Sequence, residues 1–151
     1  MKTQQKYRIL FLSISCNLLI LLFVYAAISK VLEYSTFKLQ LGQSPILTAH
    51  SDWLVWFVPL IEMLTVICLV QSNFRKLGLY ASLSLMTFFT TYIILILVFS
   101  PYIPCSCGGI LSTMGWHAHL VFNSSFLLLI IYTIYLHSSL PNLKLKSNET
   151  T

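Results

Sequence analysis

Four long apolar runs, separated by short polar stretches, dominate the chain: residues 9–31, 53–71, 77–99 and 118–137. A bilayer crossing needs roughly 20 apolar residues in a helix, and each run is of that order. The pattern predicts an all-α fold, an integral membrane four-helix bundle. Polar positions mark its details. Run one carries Ser13, Ser15, Cys16 and Asn17. Hydroxyls return their hydrogen bonds to the helix backbone, whereas an amide cannot satisfy itself, so Asn17 is expected to face a neighbouring helix. In residues 33–51, Phe37, Leu39 and Leu41 alternate with polar side chains. That spacing predicts a short amphipathic helix over 34–41, lying on the membrane surface or capping the bundle mouth. Ser51 or Asp52 suits the N-cap of run two. Trp53 and Trp56 suit the interfacial belt, and Pro59 removes one helical donor. The link 72–76 is short enough to make runs two and three antiparallel neighbours. Pro141 is expected to end the fourth helix, so the chain divides into an N-terminal arm (1–8), a membrane domain (9–138) and a flexible tail (139–151).

Composition removes most other classes. The chain is 57% hydrophobic and 9% charged, against about 25% charged in a soluble domain. The start of the chain imitates a signal peptide, but the first run continues past Ala26 and Ala27 and reads as an uncleaved span. Of the nine Lys and Arg residues, only Lys30 and Lys38 fall on one side of the predicted membrane. Lys2, Lys6, Arg8, Arg75, Lys76, Lys144 and Lys146 fall on the other. This asymmetry places both termini in the cytoplasm of a multi-pass inner-membrane protein. It also accounts for the net charge of +5 without nucleic acid as a partner.

Candidate chemistry gathers in two places. The first is the outer stretch Pro101-Tyr102-Ile103-Pro104-Cys105-Ser106-Cys107-Gly108-Gly109. Disulfides persist outside the cytoplasm, and a tight Cys-x-Cys ring is strained and so more easily reduced. Cys105 and Cys107 are read as an exchange-active pair, a structural disulfide or buried thiols, or metal ligands with His117 and His119. The two histidines are only two residues apart and face different ways on a helix, which weighs against the metal set. Cys16 and Cys68 lie toward the opposite membrane side, where packing is the default role.

The second place is Glu62, near the midplane of run two. A carboxylate there is costly unless paired, protonated or hydrated. Asn17, Thr90, Thr91, Tyr92 and water are its candidate partners. Lys30 and Glu33, three apart, form the simpler interfacial pair, with Lys30 to Glu62 a longer reach. The sequence has no phosphate-binding glycine loop, no His-Glu-x-x-His site and no feature calling for a cofactor.

Several of these motifs also carry a family likeness. They are Tyr25-Ala26-Ala27-Ile28-Ser29-Lys30-Val31-Leu32-Glu33 followed by Phe37, then Pro59-Leu60-Ile61-Glu62, then Cys105-Ser106-Cys107-Gly108-Gly109. In this order, within a four-span layout over residues 9–138, they resemble the DoxX-like superfamily, and within it the methylamine utilisation protein MauE. The resemblance implies a four-helix membrane bundle that assists disulfide formation or maturation of an exported protein. It implies Cys105 and Cys107 as the redox pair and Lys30 and Glu62 as shared polar positions. The glycine expected near Ser29 is absent. No thioredoxin-like domain is fused to the bundle, so the expected partner is a separate extracytoplasmic thioredoxin-like or exported cysteine-containing protein. Whether the chain is itself an enzyme stays open. A non-enzymatic subunit or scaffold, alone or in homo- or hetero-oligomers, and a small transporter or metal-handling protein are the alternatives.

Overall fold

The computed structural model describes residues 2–43, 50–99 and 115–148. They form five helices: α1 (Lys2–Leu32), α2 (Tyr34–Gln43), α3 (Ser51–Val70), α4 (Arg75–Phe99) and α5 (Trp116–Asn148). α1, α3, α4 and α5 are long and apolar enough to cross a membrane. The most extensive packing is between α1 and α3 and between α4 and α5; α3 also packs on α4, and α5 closes back against α1. The result is the expected four-helix membrane bundle, with α2 packed mainly on α3.

The core is drawn from one stripe per helix. On α1, Leu12, Cys16, Leu19 and Phe23 recur at helical spacing and meet Val66 and Leu69 of α3, Leu79 and Met86 of α4 and Ile130 of α5. Because lipid is as apolar as leucine, burial in this bundle does not sort apolar from polar. Ser15, Thr65, Ser82 and Thr133 are buried, whereas Trp53, Leu64 and Tyr135 are exposed. The hydroxyls of Thr65, Ser82 and Thr133 donate to carbonyls four residues back, at 2.8, 2.8 and 2.7 Å. Small polar residues can thus line the helix contacts without an unmet hydrogen bond.

Several local expectations are revised. Asn17 is exposed, because the stripe from Leu12 to Phe23 takes the inward face of α1. The N-cap of α3 is His50, with no side-chain capping bond. Asp52 lies in the first helical turn and instead accepts an ion pair from Lys38 at 2.7 Å. Its hydrogen bond and charge hold the exposed Lys38 ammonium above the usual lysine range. The helix α5 does not stop at Pro141 but continues to Asn148. Its apolar span still closes at Ser139. α2 extends slightly past the predicted 34–41, and its buried Leu41 makes it a cap over the bundle mouth.

The tightest approach is between α3 and α4. A turn through Gln71 and Phe74 reverses the chain, with Phe74 N donating to Gln71 O at 3.0 Å and Gly78 N to Phe74 O at 2.9 Å. A Cβ on Gly78 would lie 2.8 Å from Leu69 N and 3.0 Å from the Cys68 carbonyl carbon. Both are backbone atoms, so the helices themselves must separate. Gly78→Ala is expected to lower stability by about 1–3 kcal/mol, despite the better helix propensity of alanine. Gly42→Ala, which meets nothing within 4 Å, should be neutral or slightly stabilising. Thermal unfolding of the two variants in the same detergent checks the contrast.

Candidate functional site

The ends of the helices enclose a cavity of about 170 Å³. Its wall takes Leu22, Ala26 and Lys30 from late α1, Phe37 and Leu41 from α2, and Leu54, Val58 and Glu62 from the first half of α3. Late α4 supplies Phe89 and Tyr92, and early α5 supplies Trp116, His119 and Asn123. Antiparallel packing is what brings these ends together: α1 and α4 arrive where α3 and α5 begin.

One ion pair crosses this apolar chamber. Lys30 Nζ donates to Glu62 Oε1 at 2.7 Å and to Ala26 O at 3.3 Å. The ammonium also lies 5.4 Å from the Phe89 ring centroid and 5.9 Å from that of Phe37, within cation–π range. Glu62 is 0% exposed, while the Lys30 side chain keeps 22% of its surface open. The second carboxylate oxygen, Oε2, is buried without a hydrogen-bond partner among the described residues. Glu62 lies eleven residues into α3 from Ser51, about 16 Å at 1.5 Å per residue. A charge at that depth is costly unless paired. The pair removes most of that cost and leaves one acceptor facing an apolar space. That acceptor suits an O–H or N–H donor on a small amphipathic guest, or a water.

The structure therefore re-pairs Lys30. The sequence pairs it with Glu33 on the i, i+3 rule, which holds only within a continuous helix. α1 ends at Leu32, and Glu33 sits in the turn that starts α2. Glu33 lines the cavity, but the bond from Lys30 goes to Glu62. Of the other partners considered for Glu62, Asn17 faces outward and Thr90 donates to its own helix at Met86 O. His119 lines the cavity and His117 is exposed, so the two diverge as their spacing predicts. Among the described residues, no three His, Cys, Asp or Glu side chains come together as a metal set. Cys105 and Cys107 lie outside the described residues. Cys16 is buried in the core and Cys68 is half-buried, both as free thiols. Sequence reasoning misses Asn123, which is buried and lines the cavity. The argument applied to Glu62, a strongly polar side chain within an apolar run, would have found it.

Compared with known families, the chain matches the family model of methylamine utilisation protein MauE over residues 8–136. The chain belongs to the MauE family. The match takes in all four spans, both residues of the ion pair and the Cys-x-Cys stretch. No curated protein and no solved structure matches it. This MauE-family chain is accordingly a multi-pass membrane protein, with an ion pair inside its bundle.

The ion pair makes a testable demand. Lys30→Met strips Glu62 of its cation and is expected to cost about 3 kcal/mol, the low end of the range for breaking a buried pair, because Lys30 is partly open. The double replacement Lys30→Met/Glu62→Leu should regain most of that loss, whereas Glu33→Gln should stay within about 0.5 kcal/mol of the parent. Unfolding free energies for these three variants, the single Glu62→Leu replacement and the parent close the cycle.

Proposed function

We propose that this MauE-family protein serves methylamine utilisation from the inner membrane, with both termini cytoplasmic, by supporting thiol–disulfide exchange on an exported protein through Cys105 and Cys107. The observation that carries the reading is the extent of the family match, which spans residues 8–136 and includes the Cys-x-Cys stretch. The fold lends support. The segment bearing both cysteines joins α4 to α5, and the facing ends of those helices help wall the cavity. The Lys and Arg distribution supports putting that end outside the cytoplasm.

The exchange balances without a cofactor. A partner thiolate attacks one sulfur of a Cys105–Cys107 disulfide, the S–S bond breaks, and a mixed disulfide forms. A second partner thiolate attacks that mixed disulfide, leaving an oxidised partner and a reduced Cys105/Cys107 dithiol. Two electrons and two protons pass to the membrane protein. A separate extracytoplasmic thioredoxin-like disulfide restores the oxidised pair, and the same steps run in reverse for a reductase or isomerase role. Short disulfide rings are in general the more readily reduced, and two glycines, Gly108 and Gly109, follow the pair in the sequence.

Thiol trapping in intact cells tests this, using a Cys16→Ala/Cys68→Ala background to silence the inner thiols. The expected result is a pair that changes state with the redox poise, with an exported protein captured as a mixed disulfide in Cys105→Ser or Cys107→Ser. A pair fixed in one state, no captured partner, and growth on methylamine unchanged by the double Cys105→Ser/Cys107→Ser replacement would remove the exchange role. The Lys30–Glu62 cavity would then be the place to look.

A further inference from the structure

The outward face of α1 carries a feature that the redox reading leaves unused. Leu10, Ile14, Asn17, Leu21, Ile28 and Val31 follow one another at steps of four, three, four, seven and three, the heptad spacing of a coiled-coil seam. All are exposed, Leu10 at 53% and Leu21 at 67%. Half-buried Val24 fills the remaining position of the stripe. Asn17 lies eight residues past Ile9, where the apolar run begins, about 12 Å along the helix at 1.5 Å per residue.

An exposed amide at that depth needs a partner that lipid cannot supply. Several outward hydroxyls in this bundle satisfy themselves. Ser84, Thr87 and Ser125 each donate to a carbonyl four residues back, at 3.1, 2.8 and 2.8 Å. The carboxamide of Asn17 has two donors and an acceptor, and it makes no hydrogen bond among the described residues.

We infer that this face of α1 binds a second copy of the same chain, as a parallel two-fold dimer with the two Asn17 side chains hydrogen-bonded across the axis. Two considerations select a copy over another partner. Chains inserted with one topology bring their α1 helices together parallel, so Asn17 of each lies at the same depth. A carboxamide is self-complementary, its N–H meeting the other's C=O, and a two-fold interface sets identical residues opposite one another. In heptad register Ile14, Leu21 and Ile28 take the a positions of the seam, and Leu10, Asn17, Val24 and Val31 take the d positions. Lys6 and Arg8 flank the seam at its N-terminal end, where water and lipid headgroups screen their repulsion. The seam is a different face of α1 from the one bearing Lys30, so the dimer leaves the cavity walls untouched.

Single-molecule photobleaching of the full chain, singly labelled and diluted into phospholipid vesicles, reads the dimer fraction against protein density. The parent is expected to show two-step bleaching that gives way to one-step bleaching on dilution. Asn17→Val should raise the dimer dissociation constant by about three- to thirty-fold, the range of one interhelical hydrogen bond in a membrane. Leu64→Val, on the exposed face of α3, should leave it unchanged. Helicity measured on each variant separates a lost contact from a lost fold, since Asn17 takes no part in the monomer core. A parent that stays monomeric at every density would overturn the inference. So would a dimer indifferent to Asn17→Val in a chain that remains helical.

Discussion

The bond between Lys30 and Glu62 is the constraint around which the cavity end of the bundle is arranged. In a membrane, apolar side chains gain nothing by leaving lipid for protein, so ordinary core packing holds helices together only weakly. A buried carboxylate is different. It fixes where α1 must lie against α3, because no other described cation reaches Glu62 Oε1. Once that crossing is set, the chain after Leu32 has to turn, and α2 folds across the mouth with Leu41 buried. Phe37 from α2 and Phe89 from α4 then face the same ammonium. Four helices are tied to one charge.

The rest of the bundle meets the needs of backbone and hydroxyl groups rather than gathering the greasiest residues inside. Tight contact at Gly78 and self-bonded threonines and serines allow close helix approach. Many large aromatic and branched side chains face outward, Trp53, Trp56 and Tyr135 among them, while Leu19, Phe23 and Ile130 fill the core. A cavity can persist in such a structure because its apolar walls cost little. The polar edge of Glu62 gives that cavity a direction.

Much of this was legible in the sequence, for a simple physical reason. A span must be long and uninterrupted, so the four membrane helices declare themselves, and alternation in residues 34–41 reveals α2. Glu62 is conspicuous as a carboxylate inside an apolar run. Its partner was hidden because the nearer rule, three residues along a helix, pairs Lys30 with Glu33. That rule lapses where α1 ends, and pairing across 32 residues depends on a helix crossing that no local pattern encodes. The facing of Asn17 was hidden for a related reason. In a helix apolar on all sides, hydropathy cannot tell the protein face from the lipid face. The stop at Pro141 failed because proline disfavours a helix without forbidding it.

The unequal exposure of the two charged partners bears on how the chain is made. Lys30 lies at the end of α1, and its long stem can carry the ammonium to the water interface. α1 can therefore enter the bilayer before α3 has been synthesised, with its charge still hydrated. Glu62 has no such reach, being shorter and deeper in its helix. It enters a membrane where its cation is already waiting. Reversing the two residues between the helices would keep the same bond in the finished protein, yet it would strand a carboxylate in the bilayer while the ribosome was still making its partner.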